Sequence, residues 1–509
     1  MFEIELNPVF QEGLDLLENS KDSIFITGKA GTGKSTLLTY FLENTHKNVV
    51  VLAPTGVAAL HVKGATIHSF FGFKPGITVE LAEKLGKKAK DPSLFQNIDR
   101  IIIDEVSMVR SDLLDCIDVF LQKVRKKKVP FGGIPLAFIG DLYQLSPVVK
   151  GEEKEYFEVV YASPYFFSAN VMKSLVFKFL ELEKVYRQKD FEFVELLNAL
   201  RKNNATEKEL EALNARVMPS KDDDEAIYLT STNALSDEIN QKKLLSLPGK
   251  MLSFSAEVDG HFGKEIFPTE EVLQLKVGAQ VMFLMNHSKG HYVNGTVGKV
   301  TQMLDEEIVV QTKDRKEIFV SRYPWTLYKY DFDPENKRLV QEEVGSFTQY
   351  PLKLAWGITV HKSQGKTFDR VIVDMKRAFA HGQTYVALSR CRSLEGLFLK
   401  YPLKKESLFT DFRVAQFLTQ LQYGVSEKKC SKEDKVERIQ KAIQEKKALL
   451  IVYLKPNDEK STREVIPVFV GEMTYQSKSY VGMEAFCMSR QEKRVFRVDR
   501  ILEMSEGKT

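Results

Sequence analysis

Short apolar runs recur along the chain, separated by turn residues and by stretches with helical spacing. IFIT (24–27), VVVLA (49–53), RIIID (100–104), PLAFIG (135–140) and, much later, RVIVD (370–374) are such runs. Their length and content fit strands covered on both faces, as in a parallel sheet flanked by helices. The pattern predicts an α/β architecture. Between Tyr292 and Tyr350 it shifts to short alternating strands with turns at NGTVG, LDEE and DPENKR, which predicts a small all-β insertion. After Gly424, SEKKCSKEDKVERIQKAIQEKK reads as a charged helical linker over 424–447. The short strands from ALLIVYL to FRVDRILEM then predict a separate small domain over 448–509.

With 509 residues, 43% of them hydrophobic and 28% charged, the composition is that of an ordinary globular protein, too long for one core. Domain-size priors give about three to five units. No apolar run approaches the ~18 residues of a membrane span, and MFEIELNPVF has no signal-peptide pattern, so a cytoplasmic protein without membrane contact is expected. The four cysteines lie far apart without a CxxC pair, which argues against a zinc ribbon or a disulfide framework. Net charge changes the picture only when it is divided along the chain. Residues 425–509 hold 18 Lys and Arg against 14 Asp and Glu, whereas residues 1–424 hold 55 of each. A neutral body that contacts phosphates must do so through a local groove.

Candidate chemistry begins at GKAGTGKST (28–36), between the run SIFIT and the helix-like LLTYFL. It fits GxxxxGK[ST] in the strand–loop–helix context of a phosphate-binding loop. Here Gly28, Ala30, Gly31, Thr32 and Gly33 aim backbone N–H groups at phosphates, with Thr36 closing the motif. Lys34 reaches the β and γ oxygens, and Ser35 supplies a hydroxyl to Mg2+. In IIIDEVSM, Asp104 and Glu105 end a predicted strand. Asp104 would hold Mg2+ through water and Glu105 would polarise the attacking water. GDLYQLSPV (140–148) sets Gln144 past another strand end, where an amide can sense the γ-phosphate. VYRQ (185–188) and TYVALSRCRSLEGL (384–397) offer Arg187 and Arg390 as cations lent across a cleft by a second domain. An ATPase whose cleft closes and reopens with hydrolysis is expected.

The ordered series GKAGTGKST, APTGVAAL, GATIHSFFG, IIIDEVSM, PFGGIPLAFIGDLYQLSPV, VYRQ, WGITVHKSQGKTFD and QTYVALSRCRS resembles the petite-integration-frequency (PIF) family of superfamily-one, B-type DNA helicases. The likeness covers residues 1 to about 415, and LQKVRKKKVPFGGIPLAFIGD (121–141) is similar to the stretch that marks the family. The resemblance implies a RecA-like domain 1A over 1–183 with a wedge insertion 1B near 72–97. It also implies a RecA-like domain 2A over 184–423 with a Src-homology-three-like insertion 2B near 293–349. It implies Mg2+-dependent ATP hydrolysis and 5′ to 3′ movement on single-stranded DNA, with forked or 5′-tailed duplexes as substrates and G-quadruplexes or RNA–DNA hybrids left open. A monomer in a bacterial cytoplasm, on the nucleoid when working, is expected. Carried onto this sequence, Gln11 would read the adenine edge and Gly365 would face the nucleotide. Thr55, Gly56 and His68 would line the strand's track in one domain, and Thr359, His361 and Lys362 in the other.

LLIVYLKPNDEKSTREVIPVFV and KSYVGMEAFCMSRQEKRVFRVDRI are similar to WYL domains, small Sm-like β-barrels of bacterial regulators. Ser479-Tyr480-Val481 stands in place of the name tripeptide. Tyr453, Arg463, Tyr480, Arg494, Arg497 and Arg500 are candidates for a basic aromatic pocket that binds nucleic acid and tunes the motor. Two alternatives stay open beside the helicase reading: an ATP-gated nucleic-acid switch without processive unwinding, and a ligand-responsive regulator.

Overall fold

A computed structural model describes residues 7–149, 151–186, 190–218, 226–287, 290–375, 381–408 and 411–507. It divides into two compact units, residues 1–409 and 410–509.

Four of the five apolar runs form the middle of an all-parallel, six-stranded sheet in the first unit. Its order is Ala65–Thr66, Val49–Ala53, Arg100–Ile103, Leu136–Ile139, Ser23–Gly28 and Phe177–Leu182. Apart from the half-buried Val49, the four central strands are buried throughout, as runs without polar alternation require. The helix Lys34–Asn44 covers one face with Leu37, Leu38 and Phe41, which pack with Ile24, Ile26 and Ile102. The fifth run belongs to a second parallel sheet, ordered Gly357–Thr359, Ile227–Thr230, Val371–Asp374 and Leu397–Leu399. All four of those strands are only three or four residues long, and Gly357–Thr359, Ile227–Thr230 and Leu397–Leu399 were not among the predicted runs.

Within 72–97, the helices Val79–Lys87 and Pro92–Gln96 start at the side-chain caps Thr78 and Asp91. They pack on the long helix Ser111–Arg125 so closely that a Cβ on Gly86 would lie 2.6 Å from the Phe120 carbonyl oxygen. Phe71, Phe73, Phe95 and Phe120 cluster there with ring centroids 5.0–6.2 Å apart.

The antiparallel region takes in strands from both sides of 293–349. One sheet runs Glu317–Val320, Ile308–Thr312, Val297–Met303, Gln280–Phe283 and Leu352–Leu354. Gln280–Phe283 is buried at every position, so it lacks the alternation that marked the rest. A second sheet pairs the long hairpin Tyr323–Asp333 and Arg338–Gln349 with Glu257–Gly260. The hairpin reaches the first parallel sheet. Tyr330 Oη accepts from Val51 N at 3.1 Å, and the Asn48 side chain bonds the backbone of Lys337 and Leu339.

The second unit corrects the expected linker. Helices Phe412–Lys429 and Lys432–Glu445 precede five antiparallel strands, ordered Glu492–Arg497, Lys478–Cys487, Lys460–Tyr475, Leu449–Leu454 and Ile501–Glu506. Ser431 and Asp434 form a capping box that restarts the helix after Cys430. The second helix is part of the core: Ile439 and Ala442 are buried against Leu449, Val465, Met483 and Phe496. Its charge density hid a narrow apolar stripe, Val436, Ile439, Ala442 and Ile443, at helical spacing.

Candidate nucleotide and nucleic-acid site

The phosphate loop leaves the buried strand Ser23–Gly28 and enters the helix at Lys34. Gly31 and Gly33 have φ of 82° and 90°, a left-handed conformation that side chains with a Cβ resist. Lys34 Nζ donates to the carbonyl oxygens of Gly28 and Lys29 at 2.7 and 3.0 Å, so the loop curls around its own lysine. Ala30 to Thr36 line a cavity of about 1380 Å³ together with Glu105, Gln144, Gly365 and Arg390. Ala30 and Tyr385, 355 positions apart, are hydrogen-bonded, and the P-loop and Arg390 share one cleft.

Each charged group at the cleft has a physical cause for its state. Burial, then the neighbouring Glu105 charge, pushes the Asp104 carboxyl upward. A cation placed there would relieve both effects, so Ser35 and Asp104 fit Mg2+, a hard ion that keeps waters and takes few protein oxygens. Glu105 itself has a left-handed backbone, φ 50°, which turns it out of the strand into the cavity wall. Arg390 is 1% exposed. Its guanidinium donates to the carbonyls of Val386, Ser363 and Lys366 and to Ser389 Oγ. One arginine therefore touches both the cavity and the loop that follows Thr359.

Gln144 is buried, with Nε2 directed at Asp141 Oδ2 at 3.4 Å. Gln11 is exposed on the helix Pro8–Asn19, and Phe10 beside it lines the cavity instead. Arg187 lies outside the described residues. Its neighbour Tyr186 lines the cavity, donates its N–H to the Gly31 carbonyl at 2.9 Å and accepts from Asn7 Nδ2 at its hydroxyl.

Three contributors were not legible from the motifs. Burial raises the Asp141 carboxyl, but Arg201 and Lys34 outweigh it and hold it below its ordinary value. Arg201 donates to Asp141 Oδ1 at 2.9 Å, and both side chains are at most 1% exposed. The Arg201 guanidinium also lies 4.3 Å from the Tyr143 ring centroid. Tyr385 accepts from Ala30 N at 3.3 Å; burial first, then Asp141, push its phenol up to about 12, so it stays protonated. Asp141 and Tyr385 sit inside the quoted motifs, but nothing in the sequence singles out Arg201.

The expected strand track lies at the carboxyl ends of strands in both sheets. Thr55 follows Val49–Ala53 and caps the helix Gly56–His61 by accepting from Ala58 N. Gly56 packs directly beneath Ile266. His68, on the short helix Ile67–Phe71, is half-buried, and burial followed by Arg110 lowers its pKa. Thr359 is 4% exposed and accepts from Lys362 N at 3.3 Å. His361 and Lys362 lie in the turn His361–Ser363, and burial lowers both pKa values.

With this geometry in view, family models match three parts of the chain: PIF1-like helicase at 3–210, DNA helicase Pif1 2B domain at 264–303 and WYL domain at 434–506. ATP-dependent DNA helicase Pif1 of Bdellovibrio bacteriovorus is 33% identical over 428 residues, covering 82% of this chain and 93% of that protein. The chain belongs to the Pif1 helicase family. The crystal structure of Bacteroides sp Pif1 in complex with ADP-AlF4 has 37% identity and a TM-score of 0.75, over 82% of this chain and 97% of that one. Bacteroides Pif1 bound to ssDNA superposes with a TM-score of 0.57 at 36% identity, over 82% and 96%. The chain spans about three fifths of the length of the mammalian Pif1 relatives it matches.

In the WYL-matching unit several of the expected pocket residues meet. Tyr453 Oη accepts from Arg497 N at 3.4 Å, and the Arg497 guanidinium lies 5.0 Å from the Tyr480 ring. That guanidinium is paired with Asp499 at 2.6 Å, and Arg494 is paired with Glu492. Arg463 lies on another strand, opposite Ile451 and beside Ser461. Arg500 is half-buried in the turn Val498–Arg500. Arg497, Tyr453 and Tyr480 thus form an aromatic–arginine cluster, and the charges of Arg500 and Arg497 both act on the nearby Tyr423 phenol.

Proposed function

We propose that this chain is an ATP-dependent DNA helicase that moves 5′ to 3′ on single-stranded DNA and opens duplex ahead of it. Membership of the Pif1 family supports the activity and its direction. The observation that carries the mechanism is the shared cavity, whose lining includes both Lys34 and Arg390.

Lys34 gives up its loop carbonyls to bind the β and γ oxygens of ATP, and Arg390 meets the same phosphates from the second sheet. Mg2+ held by Ser35 and Asp104 would neutralise charge on those oxygens. Glu105 orients the attacking water. Arg390 also holds the Ser363 and Lys366 carbonyls, so its movement toward phosphate pulls on the segment Thr359 to Lys366, which grips the strand. Contacts of this kind read backbone, not base identity. Each cycle thus alternates the grip near Thr55 with the grip near Thr359, and opening a base-pair step opposes only ~1.4 kcal/mol of stacking. Ile266 over Gly56 and the hairpin against Val51 would have to shift for a strand to enter. The lower TM-score against the ssDNA-bound relative fits such a shift.

The test is strand displacement on duplexes with 5′ or 3′ overhangs, run beside ATP hydrolysis with and without oligonucleotide. Release from the 5′-tailed duplex and stimulated hydrolysis are expected. Hydrolysis indifferent to DNA would overturn the reading, and stimulation without release would favour a nucleic-acid switch. The WYL-like unit is read as a nucleic-acid module through Tyr453, Tyr480 and Arg497. Its test is removal of residues 410–509, the whole unit, with DNA affinity and unwinding rate as readouts.

A further inference from the structure

Tyr385 joins two walls of the cleft that belong to different sheets. It lies on the helix Gln383–Leu388, between the strands Val371–Asp374 and Leu397–Leu399 of the second sheet. Its hydroxyl nevertheless accepts the Ala30 N–H of the P-loop at 3.3 Å. Both residues are buried, at 6% and 7% exposed. The rest of this helix is just as constrained. It starts after Gly382, whose φ is 77° and where a Cβ would collide with the carbonyl oxygens of Tyr143 and Gln144. Beyond its cap Ser389 comes Arg390, whose Nε donates back to the Val386 carbonyl at 2.9 Å. One six-residue helix therefore touches the P-loop, packs on the Tyr143–Gln144 turn and leads into the arginine.

Lys34, Arg390 and the Ala30 N–H all belong to residues that line the cavity, and each is engaged by the protein itself. Lys34 holds the carbonyls of Gly28 and Lys29, Arg390 holds those of Ser363 and Lys366, and the Ala30 N–H holds Tyr385. For the last of these, exchange favours a nucleotide. A bond of this length to a neutral oxygen is weak, whereas a phosphate oxygen accepts with charge assistance, roughly twice as strongly. Burial first, then the Asp141 charge, push the Tyr385 phenol up to about 12, so its oxygen stays neutral and does not rival a phosphate. Asp141 keeps its charge because Arg201 and Lys34 outweigh its burial.

We infer that Tyr385 is a positioning residue that reports the state of the P-loop to Arg390. Its hydroxyl holds the Ala30 N–H before ATP binds, yields it to a phosphate oxygen, and so releases the helix that leads into Arg390. The role rests on the ATPase reading of this cleft. It requires no contact between the hydroxyl and the reacting atoms; it makes occupancy of one wall a condition for the arginine of the other.

Tyr385→Phe removes the hydroxyl and keeps the ring. The full chain and this variant would be compared by titration with a fluorescent non-hydrolysable ATP analogue, by steady-state ATP hydrolysis with and without an oligodeoxythymidine, and by thermal melting. Binding no longer breaks a bond in the variant, so it is expected to hold the analogue about two- to tenfold more tightly, the range of one net hydrogen bond. The KM for ATP should fall likewise, and hydrolysis without DNA should rise because Arg390 is no longer held back. At saturating oligonucleotide kcat should stay within about twofold of the parent. A raised KM or a kcat lowered about tenfold would make the hydroxyl a direct phosphate contact, and the sensing role would be overturned. Unchanged analogue affinity and KM with a lower melting temperature would overturn it too, leaving a structural strut. If Tyr385→Phe does not fold, a fluorinated tyrosine placed at position 385 keeps the hydroxyl and serves instead. Its fluorine resonance is expected to shift when the analogue binds, and a resonance indifferent to saturating analogue would end the proposal. If the unmodified chain bound no analogue, the ATPase reading itself would fall.

Discussion

The basic side chains of the two compact units are held in contrasting ways. In the first, Arg390 and Arg201 are 1% and 2% exposed and find partners that only folding brings near. Arg390 holds the carbonyls of Ser363 and Lys366, and Arg201 holds Asp141, which lies 60 residues earlier. In the second, Arg494 and Arg497 have side chains 44% and 35% exposed, and each pairs with an acid two residues away. A buried long-range pair fixes a tertiary arrangement, whereas a local surface pair neutralises a charge where it stands and contributes little. The lysines around Lys366 are a third case, cations gathered with one largely exposed acid, Glu270, against Lys353. Counting basic residues does not separate these three states; asking which charge the fold leaves unneutralised does.

The largest effect should come at Arg390. Arg390→Ala is expected to lower the DNA-stimulated ATP turnover by about 10³-fold or more, read as steady-state phosphate release. Arg494→Ala should change it by about twofold at most, since its charge is paired locally with Glu492. Comparable losses from the two would erase the contrast between the units. Next in size is Arg201→Met, which strands the Asp141 carboxylate in a dry site and should cost about 3–5 kcal/mol in urea unfolding. Arg494→Ala should cost less than ~1 kcal/mol. Replacing both Arg201 and Asp141 with apolar residues should recover most of the loss; a double variant as unstable as the single one would place the energy in Arg201 packing on Tyr143 instead.

Local chemistry was the legible part. The strands around Ile24, Val51, Ile102 and Phe138 could be read because both faces are buried, and the loop from Gly28 to Ser35 because phosphate binding dictates its glycines and its lysine. Asp104 and Glu105 followed from their place at a strand end. Arg201 was not legible, because an arginine in the helix segment LLNALR carries no sign that Asp141 waits for it. Strand Gln280–Phe283 lacked alternation, so the antiparallel region seemed shorter in sequence than it is in space. The helix Lys432–Glu445 concealed Ile439 and Ala442 beneath its charge. In the WYL-like unit the aromatic and basic residue types were visible, but the pairing of Arg494 and Arg497 with acids two residues away depends on the local backbone. For Arg201 the limit is that a partner 60 residues away becomes visible only once a fold sets the geometry.

The smallest expected effect is also the sharpest test of the lysine cluster. In the fold Lys366 loses its proton at about 7, against an ordinary lysine value of 10.5. Between those values the unfolded chain binds more protons at this site than the folded chain, so the site's contribution to stability rises with pH. Below about 7 both states are protonated, and the fold bears the full cost of housing the charge. Lys366→Met carries no proton in either state. The variant's advantage in stability should therefore be greatest at or below neutral pH and should shrink steadily toward pH 10.5. The charged and titratable neighbours, Lys353, Lys362, His61, Glu270 and Asp237, are common to both proteins, so the difference between their urea midpoints isolates the one ammonium. A difference that stayed flat across that window would mean that Lys366 keeps its proton in the fold.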